Sequence, residues 1–100
     1  MPKDEQLITA EILSYIRSFH GSVSDWFVAS AESGSYSLFE YHNVNKDEDR
    51  WIFRKAFSVE AAHRIAEYFR RDFGTDGDPT EGGESPHFVI AYRKSGHTIP

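Results

Sequence analysis

Apolar residues recur at helical spacing between Asp4 and His20. Ile8, Ile12, Tyr15, Ile16 and Phe19 share one face of a helix, and Gly21 supplies its stop. Leu7 and Leu13 fall off that stripe, which broadens the face to be buried. The period then shortens. Trp26 to Ala31 is an apolar and aromatic run, and Glu32-Ser33-Gly34-Ser35 reads as a turn. Tyr36 to His42 alternates in part, with Phe39 and Tyr41 against Leu38, Glu40 and His42. A polar connection, 43–49, follows. Arg50 to Phe57 alternates clearly: Trp51, Phe53 and Phe57 point one way, and Arg50, Ile52 and Arg54 the other.

Ser58 stands as the N-cap of a second helix. Val59, Ala62, Ile65, Ala66, Phe69 and Phe73 form its apolar stripe, and Gly74 ends it. Its outer face places Glu60 before Arg64 and Glu67 before Arg71, two i, i+4 acid-to-base pairs. Residues 75–86 read as an acidic, mobile loop. His87 to Arg93 alternates again as a last strand, and 95–100 is a tail. The chain therefore predicts a single α+β domain over 1–100, in the order α-β-β-β-α-β. Short connections favour a four-stranded, mostly antiparallel sheet, with the two helices packed on one face. The other sheet face is left for solvent or a partner.

Composition sharpens this picture. Fifteen per cent of the 100 residues are aromatic, more than such a core needs, so the surplus points to a binding surface. The formal net charge of −5 disfavours non-specific binding to nucleic acid or anionic membrane and suits a basic protein partner. No stretch approaches the ~20 apolar residues of a membrane helix, so no membrane association is expected. The absence of cysteine and of a basic, apolar leader fits a cytoplasmic protein.

Catalytic constellations are missing. There is no G-x-S-x-G elbow, and no pair of the five histidines has H-x-x-x-H spacing. His63 and Glu67 are two metal-type ligands on one helix flank, too few for a site. Gly82-Gly83 sits among glutamates that would repel phosphate. No catalytic residue, metal or cofactor is expected. Asp76, Asp78, Glu81 and Glu84 are spaced like oxygen ligands but do not match an EF-hand, and read as a solvated connection or a contact for a basic partner.

The order helix, three strands, helix resembles the double-stranded-RNA-binding domain, whose second helix opens with lysines that grip phosphate. Here that stretch is Ser58-Val59-Glu60-Ala61-Ala62-His63-Arg64, with an acid where the family carries a base. The join from Phe57 into Ser58-Val59-Glu60-Ala61-Ala62 also resembles the third strand and second helix of RNA-recognition motifs. Arg50 and Phe57 fit that motif's ends, while its glycine and central aromatic pattern are absent.

These readings converge on a small, acidic, non-enzymatic protein-binding module of the inhibitor or immunity and anti-defence type, a likeness of size and charge. The candidate partner-binding residues are Asp47, Glu48, Asp49, Arg50, Ile52, Arg54, Asp76, Asp78, Glu81 and Glu84. The expected partner is a protein, basic or itself nucleic-acid-binding. A homodimer through an edge strand or an aromatic face stays open. Two alternatives stand behind this reading: a nucleic-acid-binding module using the arginine and aromatic sheet face, and a small ligand-binding protein or enzyme with a pocket between helices and sheet.

Overall fold

A computed structural model describes residues 3–77 and 87–100. Asp78, Glu81 and Glu84 lie outside the described residues. Helix α1 spans Lys3–Arg17 and strand β1 spans Trp26–Ala31. Between them, Ser22 and Asp25 close a capping box around a short 3-10 turn, Val23–Asp25. Helix α2 begins as an α-helical turn, Gly34–Tyr36, and continues as a π-helical turn, Ser37–Tyr41. Strand β2 is Trp51–Lys55. Helix α3 is Val59–Tyr68, extended by a second π-helical turn, Phe69–Phe73, and closed by Gly74 at φ 74°. Strand β3 is Phe88–Arg93.

The sheet has three strands, not four. Its order is β1-β3-β2 and both pairings are antiparallel. The segment expected as the second strand, Tyr36 to His42, is helical. Ser33 accepts a hydrogen bond from the Tyr36 N–H and so starts a helix where a turn was read. Gly34 and Leu38, both buried, then lie a helical turn apart. This helix removes the topological likeness to the double-stranded-RNA-binding domain.

Alternate residues of the sheet enter two separate cores. The larger joins Ile8, Ile12 and Ile16 of α1 and Ala61, Ala62, Ile65 and Phe69 of α3 to Trp26, Val28, Ile52, Val89 and Ala91. The smaller joins Phe27, Ala29, Ala31, Ile90 and Tyr92 to Leu38 of α2 and to Val44. Neither face is bare, which is why every residue of β1 is buried. The expectation of two helices on one face and an open face opposite gives way to cover on both.

The two edges of the sheet are treated differently. Along β1, the Val28 N–H donates to the Asp76 carbonyl and the Asp76 N–H donates to the Trp26 carbonyl, each at 2.9 Å. Gly77 continues this strap at φ 126°, where a Cβ would lie 2.1 Å from the Val28 carbonyl oxygen; only glycine passes so close. Along β2, side chains do the work. The Trp51 N–H donates to the Tyr15 hydroxyl at 3.2 Å, and the Arg54 guanidinium donates to the Phe53 carbonyl at 2.9 Å. Both are the kind of device that blunts strand addition.

Candidate partner-binding face

The alternation of β2 is as the sequence predicts, but its faces are exchanged. Ile52 is buried in the larger core, beneath α1 and α3. Trp51 and Phe53 are half-buried on the opposite side, next to Phe39 of α2. Arginine stems can cover apolar surface while their heads reach acids or rings, so Arg50 and Arg54 suit the rim of the larger core. Arg54 meets Glu11 of α1 at 3.0 Å, and Arg50 lies 4.9 Å from the centre of the Phe19 ring. Arg54 and Ile52 line an open groove between α1 and β2, with Glu11, Ser14 and Tyr15.

Those of the sequence-derived residues that are described do not lie together. Arg50, Ile52 and Arg54 belong to the helix-covered side. Asp76 sits on the far edge of the sheet, strapped to β1 and 3.4 Å from Lys94. Asp49 is drawn inward, accepting from the Asn45 N–H at 2.7 Å and lying 2.5 Å from His97 Nε2. Asp47 and Glu48 remain exposed at the tip of that turn.

What the structure assembles instead is an aromatic ladder. Phe39 stands edge-on to Trp51, with centroids 4.9 Å apart. Trp51 and Phe53 lie parallel at 6.1 Å, and Phe53 meets Phe88 edge-on at 6.0 Å. All four rings are half-buried. The Trp51 Nε1–H donates to the Lys46 carbonyl at 3.0 Å, which fixes the indole plane. Gly34 lets α2 come down onto the ladder: a Cβ there would lie 2.2 Å from the Phe53 ring. Three of the five large apolar side chains left exposed, Tyr36, Tyr41 and Ile99, cluster in the same layer of the molecule.

Two further ties hold this layer. His42 is buried between the rings of Phe27, Tyr41 and Tyr92. Its Nδ1 lies 2.6 Å from the Ile99 carbonyl oxygen, which can only accept, so Nδ1 carries the proton. The Ile99 N–H donates back to the His42 carbonyl at 2.8 Å, and Asn43, at φ 56°, donates to the His97 carbonyl. The segment read as a tail is thus stitched to α2. The turn 45–49 is held from within: Asn45 Oδ1 accepts from the N–H groups of Asp47 and Glu48, at 2.9 and 3.0 Å.

Charge divides along the same line. Residues 32–49 carry five acids against Lys46, a net of −4; residues 50–73 carry six bases against three acids, a net of +3. Four of these six bases meet an acid. Besides Arg54, Arg70 meets Glu67 at 2.8 Å, Arg71 meets Asp72 at 3.5 Å, and Arg64 bonds Glu5. These pairings replace the expected Glu60–Arg64 and Glu67–Arg71 pairs. Glu5 is buried, and its hydrogen bond is the main reason the Arg64 guanidinium is held even more firmly protonated than usual; desolvation opposes this, and the charges of Glu5 and Glu60 add smaller support. Glu32, Glu40, Asp47 and Glu48 are exposed and form no ion pair among the described residues.

Among the described residues, no group of three or more His, Asp or Glu is placed to hold a metal ion. None of their helices is long and apolar enough to cross a membrane. Set against known protein families, curated proteins and solved structures, the chain matches none.

Sequence reasoning missed Phe39, Trp51 and Phe53 as a surface. The aromatic surplus was the signal, and the Ser33-Gly34 start of α2 was the detail that would have placed it.

Proposed function

We propose that this protein is a small, non-enzymatic protein-binding module of the inhibitor kind, and that it meets its partner through the α2 layer. The observation that supports this most is the ladder Phe39, Trp51, Phe53 and Phe88, left half-exposed and bordered by acids with no internal partner. Interface centres are enriched in Trp, Tyr and Phe, and fixed rings lose little entropy on binding. The net charge of −4 over residues 32–49 suits a basic partner and speeds encounter with it. The internal balance of Arg50, Arg54, Arg64, Arg70 and Arg71 weighs against phosphate binding and hence against the nucleic-acid reading.

The test compares three immobilised proteins against native lysate, with and without nuclease: the intact chain, Trp51→Ala, and the double variant Asp47→Asn with Glu48→Gln. The expected result is one stoichiometric, nuclease-resistant protein that both variants lose, with capture by the intact chain falling as salt rises. Capture that is equal for all three overturns the assignment to this face. Capture that vanishes with nuclease moves the reading to nucleic acid.

A further inference from the structure

The centre of this face supports a narrower statement, which rests on the partner-binding reading. We infer that the group it receives is an arginine side chain of the partner, laid against the Trp51 indole and neutralised by Asp47 and Glu48.

This chain already sets two of its arginines over its own rings. Arg50 lies over Phe19 at 4.9 Å, and Arg17 lies over Phe73 at 5.6 Å. Both rings belong to the side built by α1 and α3. Trp51 has the ring best suited to a cation, and among the described residues no cation lies over it. Its orientation is already set by the Nε1–H bond to Lys46, by Phe39 edge-on and by Phe53 alongside.

The backbone that carries the two carboxylates is also set. Asp47 and Glu48 follow directly on the residue whose carbonyl holds the indole. Their backbone N–H groups are bound by Asn45, and the turn is locked from below by Asp49. Neither carboxylate has an ion pair. An apolar guest would strip water from two unpaired carboxylates and return nothing. An anion would be repelled. A lysine ammonium offers charge without a plane. A guanidinium offers both: a flat face for the indole and a fork of donors for carboxylates.

The experiment uses the full chain and a blocked hexa-arginine peptide as probe, followed through the two tryptophan indole N–H resonances. Trp51→Phe identifies which signal is which. The expected result is a shift of the Trp51 signal, while the buried Trp26 signal stays still. The double variant Asp47→Asn with Glu48→Gln should weaken the peptide by about tenfold or more, and Glu60→Gln on α3 should change affinity by less than about twofold. Equal weakening by Glu60→Gln would reduce the effect to net charge and overturn the inference. Equal affinity for hexa-lysine would overturn the choice of arginine. An unmoved Trp51 signal, with the partner protein still lost in Trp51→Ala, would sink this inference and leave the partner-binding face standing. If Trp51→Ala also leaves the partner bound, both fail.

Discussion

The two sides of the sheet solve different problems. On the α1 and α3 side, apolar side chains are buried and most arginines lie over rings or pair with acids. On the α2 side, a smaller core is ringed by half-exposed aromatics and by acids with no partner of their own. One surface is finished and the other is not. Net charge and aromatic content, averaged over the chain, conceal this; only their division between layers separates the side closed by two helices from the side proposed to meet a partner.

The contrast can be broken at its strongest point first. Phe69 is fully buried in the larger core, so Phe69→Ala should cost about 3–5 kcal/mol. Urea unfolding should show that loss by every probe at once. If only α3 responded, the larger core would not be the common support of both layers. Next comes Gly34→Ala. The new Cβ would overlap the Phe53 ring, and forcing the ring aside should cost about 1–3 kcal/mol and disturb the ladder. An unchanged Phe53 environment by NMR would mean that α2 does not press on the ladder as described.

Smaller still is the loss of the α2 cap. Ser33→Ala should cost about 1 kcal/mol, and hydrogen exchange should quicken in α2 while α1 and α3 keep their protection. Equal quickening everywhere would deny that the layers are separable. The smallest effect is one of pH. The Glu5 bond raises the Arg64 pKa, so the stability it contributes is complete below the unfolded-state value and is lost only as pH climbs through the higher folded one, far into the alkaline range. A lysine there would release its proton earlier. The stability gap between the native protein and Arg64→Lys should therefore widen as pH rises above about 10.4, the pKa of an unfolded lysine. A constant gap would show that the charge of this pair contributes little.

Much of the fold is legible in the sequence because it rests on long, strongly periodic stretches. The stripe Ile8, Ile12 and Ile16 and the stripe Ala62, Ile65 and Phe69 appear where the pattern puts them, as do β1 and β3. The failure at Tyr36 to His42 has a specific cause. Its buried helical face starts with Gly34, which has no side chain to register in an apolar pattern, and a two-residue alternation is all that the remaining aromatics show. The failure at β2 is of another kind. Period two tells which residues share a face but not which face is covered. Two tryptophan and phenylalanine rings outweigh one isoleucine in any hydrophobic sum, yet Ile52 went inside because α1 supplied partners for Arg54 and Trp51 at that edge. The candidate site suffered accordingly. Asp47 and Glu48 are found by charge alone, and the aromatic surplus does not by itself single out the ladder beside them.

One feature of the topology bears on how the protein is made. β1 and β2 are not paired with each other; each pairs with β3, the last of the three in chain order. In chain order, α1, β1, α2, β2 and α3 all precede the strand that joins β1 to β2, and before it β1 has only the Asp76 strap. Every pairing in the sheet waits for residues 88–93, and the pairing of β1 with β3 closes a loop of some sixty residues. A chain that ends short of Val89 therefore lacks both strand pairings of the sheet, and its β1 and β2 would expose apolar residues that β3 covers in the complete fold.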